Sequence, residues 1–276
     1  MESKIEKLLI GEALKTEELK GEKFSKFWGL PILSSDAISS VAYAAEEILI
    51  AFIFVLGIRS YQNLLYVSLC IVFLLFLIVF SYRQTIDNYP LGGGSYIVSK
   101  DNLGTIPSLT AASALSIDYI LTVAVSVSAG TAAIYSAFPS LYQYKVIIAI
   151  FLVLLLTLGN LRGIKDSAKL FGLPAYFFIA IIGSMIVTGI VKHAMGIPPA
   201  PGQEIPPQIE NISFFLFLKA FASGCSALTG IEAVSDGIPN FQEPSQKNAK
   251  TVLMLLGGIV LFIFGGISYL ANIYHP

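Results

Sequence analysis

Apolar residues along this chain fall in long unbroken blocks instead of alternating with polar ones, and seven blocks approach the length of a bilayer-crossing helix. A hydrocarbon core of roughly 30 Å needs about 20 mainly apolar helical residues. Residues 60–82 lie uncharged between Arg59 and Arg83, residues 170–191 between Lys169 and Lys192, and residues 251–274 after Lys250. The run 146–161 is shorter and suffices if Lys145 and Arg162 reach outward to water. Three further runs each carry an acid: 31–57 with Asp36, 107–137 with Asp118 and 212–236 with Glu232. No ten-residue alternation of the barrel kind occurs. The pattern predicts an all-α polytopic protein with a transmembrane domain over 28–276. Residues 1–27 mix six Lys with six Glu and set Ile5, Leu8, Leu9 and Ile10 near a helical stripe. They fit an amphipathic helix at the cytoplasmic face and equally a solvated tail.

Composition strengthens this picture. Of 276 residues, 55% are hydrophobic and 13% charged, and the mean hydropathy is +0.76. Soluble domains carry about 25% charged residues, so a soluble enzyme is excluded. A net charge of −1, from 17 basic and 18 acidic residues, offers no footprint for nucleic acid. Two cysteines and two histidines, scattered at or inside apolar runs, suggest neither a disulfide framework nor a histidine metal site.

The cations set an expected orientation. With the N-terminus inside, thirteen Lys and Arg fall in inner segments and three (Arg59, Lys145 and Lys192) in outer loops, with Lys219 inside the sixth span. That bias predicts a cytoplasmic N-terminus in a multi-pass protein of the cell membrane. Seven spans then place the C-terminus outside.

Two spans carry helix-breaking chemistry. The first opens with Pro31-Ile-Leu-Ser-Ser-Asp36, whose Ser and Asp side chains compete for backbone groups and favour helix starts. The sixth contains Ser223-Gly-Cys-Ser-Ala-Leu-Thr-Gly230. Both are expected to be broken helices, which membranes tolerate only where backbone is buried in protein or lines a wet cavity. Residues 36–41 also overlay 226–231 with one identity and three conservative matches. Interrupted spans five apart fit an inverted five-helix repeat with a site at the midplane.

Ionisable groups at bilayer depth are candidate functional residues. Asp36, Ser39, Ser40, Tyr43 and Glu47 form one helical stripe, Asp118, Thr122 and Ser126 a second beside Tyr119, and Ser226, Thr229, Glu232 and Ser235 a third. Carboxylates and hydroxyls are hard oxygen donors suited to alkali or alkaline-earth cations. Other roles fit the same residues. Asp36 can cap a helix, and Asp118 can pair with Lys219. Tyr43 and Tyr119 can be packing aromatics, and Thr122 and Thr229 can bond back to their own helices. Glu232 can gate or carry protons. Gly92-Gly93-Gly94 lacks the flanks of a phosphate loop and predicts a tight backbone approach on the inner side.

Tyr89-Pro-Leu-Gly-Gly-Gly-Ser-Tyr96, Asn160-Leu-Arg-Gly163 and Thr229-Gly-Ile-Glu-Ala233 resemble signatures of the amino acid–polyamine–organocation transporter superfamily. Ser34-Ser-Asp-Ala-Ile-Ser-Ser-Val-Ala-Tyr43, Ser81-Tyr-Arg-Gln-Thr85 and Ile117-Asp-Tyr-Ile-Leu-Thr122 look like its KimA/KUP-type potassium-uptake branch. The resemblance implies a LeuT-like fold, a homodimer, and potassium import by proton symport. It implies potassium ligands at Asp36, Tyr43, Asp118, Tyr119, Thr122 and Thr229, and proton coupling or gating through Glu232, Asp36 and Asp118. Potassium and protons are cargo, and no cofactor is expected. Such proteins have ten or more spans, so seven spans correspond to the first repeat of five plus two helices of the second. The chain is thus expected to be incomplete at its C-terminus, without any ligand from a tenth span.

Three rival readings remain. An amino acid permease of the same superfamily holds its substrate carboxylate at a glycine-rich break in span one, where this chain carries Asp36. An intramembrane protease of the His-Glu-x-x-His or Gly-x-Gly-Asp type lacks its motif here, although spacing permits a serine–lysine pair on Lys219. A transport-inactive membrane subunit would keep the fold without needing the three acids.

Overall fold

The computed structural model describes residues 23–161, 164–198, 207–208 and 211–276, with the side chains of 164–169 outside that set. Expectations for residues 1–22, and for Arg162 and Gly163, therefore lie outside the described residues. Among the described residues the regular elements are helices: α1 (Lys26–Leu56), α2 (Arg59–Asn88), α3 (Gly94–Leu103), α4 (Thr105–Ala137), α5 (Lys145–Leu161), α6 (Ile164–Ala194), α7 (Phe214–Gly224), α8 (Ala233–Asp236) and α9 (Ser245–Tyr274). Seven stretches are long and apolar enough to cross a membrane: α1, α2, α4, Pro139–Leu161, Leu170–Ala194, Phe214–Asp236 and α9. The all-helical, seven-span expectation holds.

Burial divides the spans into two groups. The most apolar stretches of α1, α2, Phe214–Asp236 and α9 are 39, 33, 33 and 44% buried, against 11, 6 and 11% for the spans of α4, α5 and α6. Spans one, two, six and seven thus form the packed bundle, and the others flank it. The α1 stripe Ala37, Ser40, Val41, Ala44, Ala45 and Ile48 explains the close packing, since small side chains let helix backbones approach. From α9, Leu253, Leu256, Val260, Ile263 and Phe264 fill the centre of the bundle. A buried hydrogen bond from Ser68 Oγ to Ser268 Oγ, 3.0 Å, ties α2 to α9.

The expected break in span one is absent: α1 is one helix from Lys26 to Leu56. Two compensations account for this. Pro31 has no N–H to donate to the Phe27 carbonyl one turn back. The Tyr176 hydroxyl of α6 donates to that carbonyl instead, at 2.6 Å, with the Phe27 and Tyr176 rings stacked at 4.8 Å. The hydroxyls of Ser35 and Ser39 turn back onto their own helix, donating to Ile32 O (3.3 Å) and Asp36 O (2.9 Å).

Span six is broken as expected. After α7, Cys225–Leu228 forms a 3-10 turn, Thr229 is extended (φ −66°, ψ 150°), Gly230 has φ +79°, and α8 resumes for four residues. At the N-terminal end of the bundle, Phe24 pairs with the loop before α9. Its N–H donates to Asn240 O and its carbonyl accepts from Gln242 N–H, both at 3.0 Å, and its ring meets Phe241 edge-on at 5.0 Å. Lys23 adds an ion pair to Glu243 at 3.4 Å.

Candidate functional site

The break in span six meets α1 at Gly230. A Cβ there would lie 2.7 Å from the Ala37 nitrogen and 2.7 and 2.8 Å from Asp36 Cβ and Cγ. Glycine is therefore required twice, for the positive φ and for the approach to α1 backbone. The crossing brings Thr229 onto the polar stripe of α1. Its hydroxyl lies 2.9 Å from Ser40 Oγ and 3.0 Å from the Ser226 carbonyl, and can donate to either. Ser40 Oγ donates to Asp36 Oδ1 at 3.1 Å and lies 3.1 Å from the Tyr43 hydroxyl. Asp36, Tyr43 and Thr229, three of the candidate ligands, thus share one hydrogen-bonded cluster whose hub is Ser40.

From the other side α4 supplies its own stripe. Ser126 Oγ lies 3.2 Å from Ser39 Oγ, joining the two polar faces. Asp118, two turns before Ser126, is half-buried on the same face of α4. Thr122 is half-buried on the Asp118–Ser126 face; among the described residues it forms no back-bond, unlike Thr110, Ser116 and Thr131. Tyr119 is 39% exposed and lies beside Glu232. The suggested Asp118–Lys219 pair is not formed: Lys219 is exposed on α7, and no ion pair joins the two among the described residues.

Below the crossing, buried oxygens lack partners. Glu232 is 6% exposed, and its Oε1 has no hydrogen-bond partner among the described residues; the same is true of Ser34 Oγ, Ser226 Oγ, Ser235 Oγ and Asp236 Oδ1. Orphaned oxygens in an otherwise satisfied bundle are places for water or an ion. The glycine loop closes this end, as expected from its sequence. Gly94 (φ +40°) sits on the Asp236 carboxylate, and a Cβ at Gly92 (φ +78°) would lie 2.5 Å from Asp236 O.

On the opposite side of the cluster, a cavity of about 680 Å³ lies between α1 and α4, walled by Tyr43, Glu46, Glu47, Ser128 and Tyr135 among others. The sequence reading placed Glu47 on the stripe with Tyr43 and gave Glu46 no role, although Glu46 stands three residues from Tyr43 on the same face. It also passed over Asp236, whose only sequence signal is its place one turn beyond Glu232. No His, Cys, Asp or Glu trio converges in a metal-holding group among the described residues. The donors are one carboxylate plus hydroxyls, which suits a weakly held alkali cation better than a transition metal.

The family model described as amino acid permease matches residues 32–276, nearly the whole transmembrane region. This chain belongs to the amino acid permease family. Within this part of the amino acid–polyamine–organocation superfamily, it is 45% identical over 272 residues to the potassium transporter KimA of Bacillus subtilis. That alignment covers 98% of this chain and 45% of the relative, so the chain spans under half the length of the curated protein it matches. Permeases move solutes across a membrane without transforming them. The family is thus one of transporters, and this chain matches it over a region with seven membrane-length helices.

Proposed function

We propose that this chain carries the cation path of a secondary potassium importer driven by proton entry, with its N-terminus on the cytoplasmic side of the cell membrane. The observation that carries the reading is the Asp36–Ser40–Tyr43–Thr229 cluster beside the Gly230 crossing. A potassium ion entering the bundle must exchange its water shell for hard oxygens of similar number and field. Asp36, Tyr43 and Thr229 offer them from spans one and six, and Asp118, Tyr119 and Thr122 face the same region from α4. Glu232 is buried in the bundle at 6% exposure, and Asp36 and Asp118 are half-buried on α1 and α4. Such a set favours taking up a counter-charge, either a proton or a cation, and that exchange is the chemistry symport needs. The positive-inside bias supports the orientation. The packing of spans one and two against six and seven supports a LeuT-like inverted repeat, because it joins the first two helices of each five-helix set. The relative's description as a potassium transporter supports the choice of cargo.

The family's name favours an amino acid as the rival substrate. Two features weigh against it. The continuous α1 frees no backbone amides to hold a substrate carboxylate. A carboxylate 4 Å from Asp36 would meet a repulsion of about 4 kcal/mol at an effective dielectric near 20.

Growth of a potassium-uptake-deficient bacterium at low potassium tests the reading. The chain, the gene read through beyond codon 276, and Asp36→Asn in whichever of these rescues growth are run together. Rescue abolished by Asp36→Asn supports the cation reading. Good membrane expression of both forms without rescue, combined with amino acid uptake, would replace it with the rival.

A further inference from the structure

We propose that Ser40 is a positioning residue of the cation site, turning the hydroxyl protons of its neighbours away from the ion and holding the Asp36 carboxylate toward it. This inference rests on the potassium reading above and adds a residue that is not itself a ligand. Ser40 is fully buried, at 0% exposure, on the α1 face toward the span-six break. Its Oγ has three polar neighbours: Asp36 Oδ1 at 3.1 Å, the Tyr43 hydroxyl at 3.1 Å and Thr229 Oγ1 at 2.9 Å.

A serine hydroxyl has one proton and two acceptor lone pairs, so three partners saturate it. An ionised carboxylate can only accept. The Ser40 proton therefore goes to Asp36, and both lone pairs are left to accept from Tyr43 and Thr229. This assignment fixes the polarity of the cluster. A hydroxyl serves a cation with its oxygen, and a proton turned toward the ion would repel it. With Tyr43 donating to Ser40, the remaining Tyr43 lone pairs face the cavity. Thr229 has a second outlet at the Ser226 carbonyl, 3.0 Å away, so its proton points away from the ion with or without Ser40. Tyr43 has no such alternative among the described residues, which makes it the group most dependent on Ser40. Without Ser40, Asp36 loses the donor that holds Oδ1, and Thr229 is left as the hydroxyl beside the carboxylate.

The test is potassium binding to the purified full chain, read as the rise in melting temperature during a potassium titration in a choline background. Ser40→Ala is expected to raise the half-saturating potassium concentration about 10- to 100-fold, the loss of a hydrogen bond to a charged group. Its potassium-free melting temperature falls as well, as for any buried hydroxyl removed, so the half-saturating concentration is the deciding readout. Ser40→Cys, which keeps a weak donor of similar size, should recover part of the affinity. In a Tyr43→Phe background, the further loss on Ser40→Ala should be much smaller than in the wild type, because the Tyr43 proton is already gone. A merely structural serine would lower the melting temperature and leave half-saturation unchanged in both the wild-type and the Tyr43→Phe background. That pattern overturns the proposal. If the wild type shows no potassium-dependent shift, or Asp36→Asn and Tyr43→Phe leave half-saturation unchanged, the potassium reading itself falls and takes this inference with it. If those two variants weaken binding and Ser40→Ala does not, only the role of Ser40 is refuted.

Discussion

Gly230→Ala perturbs the contact on which the whole site depends. The glycine holds φ +79°, and a methyl group there would stand 2.7 Å from the backbone nitrogen of Ala37, a distance that real Cβ contacts do not reach. The atoms it would strike are the backbone of α1 and the base of the Asp36 side chain, so neither can step aside as a flexible tip would. Placing an L-residue in the left-handed region costs about 1–2 kcal/mol, and forcing a methyl into a filled contact about 1–3 kcal/mol. The closed crossing should therefore lose about 2–5 kcal/mol, the sum of those two ranges. At tenfold per 1.4 kcal/mol, a ligand that needs this crossing would bind at least about 30-fold more weakly. The assay is thermal unfolding of the full chain in detergent, with and without potassium, next to Gly258→Ala. Gly258 is exposed on α9 with nothing within 4 Å of a built Cβ, so alanine there should be neutral or more stable by up to about 1 kcal/mol. Gly230→Ala should lower the potassium-free melting temperature by about 4 °C or more. An unchanged melting temperature together with unchanged potassium stabilisation would refute the argument, because α1 and span six could then not be in contact as described.

Three further outcomes follow from other contacts. Tyr176→Phe should destabilise by about 1 kcal/mol, because the Phe27 carbonyl loses the donor that replaces the missing proline N–H; in a Pro31→Ala background the loss should shrink, since the helix then supplies its own donor, and equal losses in both backgrounds would disprove the compensation. Ser68→Ala should cost about 0.5–2 kcal/mol by orphaning Ser268, and Ser68→Ala with Ser268→Ala should cost less than the two single changes added, as a double-mutant cycle on unfolding would measure. The Ser245 backbone N–H and Lys23 hold the Glu243 carboxyl below its ordinary value of 4.5. A depressed folded value contributes stability above the ordinary value and loses it as pH falls through the folded one, so Lys23→Ala should lessen but not remove the loss of stability below about pH 4.5, since the Ser245 N–H remains, as melting temperatures of both forms from pH 6 to 4 would measure.

Much of this molecule is legible in local sequence. Four of the seven spans follow from uncharged runs next to Lys or Arg and three from apolar runs that carry acids, because a bilayer-length apolar helix needs no partner to declare itself. The break of span six follows from Gly224, Gly230 and the hydroxyls between them, whose backbone preferences act within a few residues. The close approach at Gly92–Gly94 is written in the glycines, although not that Asp236 would be the group approached.

What the sequence could not decide is whatever depends on a partner far along the chain. Pro31-Ile-Leu-Ser-Ser-Asp36 reads as a helix break, and locally it is one. It stays helical because a tyrosine on α6, 149 residues from Phe27, donates the hydrogen bond that proline cannot. Likewise Asp36, Tyr43 and Thr229 are visible as polar residues on apolar helices, while their convergence on Ser40 exists only once Gly230 lets span six touch α1. Backbone preference and burial are encoded residue by residue. Hydrogen-bond partners across a bundle are set by which helices the packing brings together, and only the tertiary structure decides that.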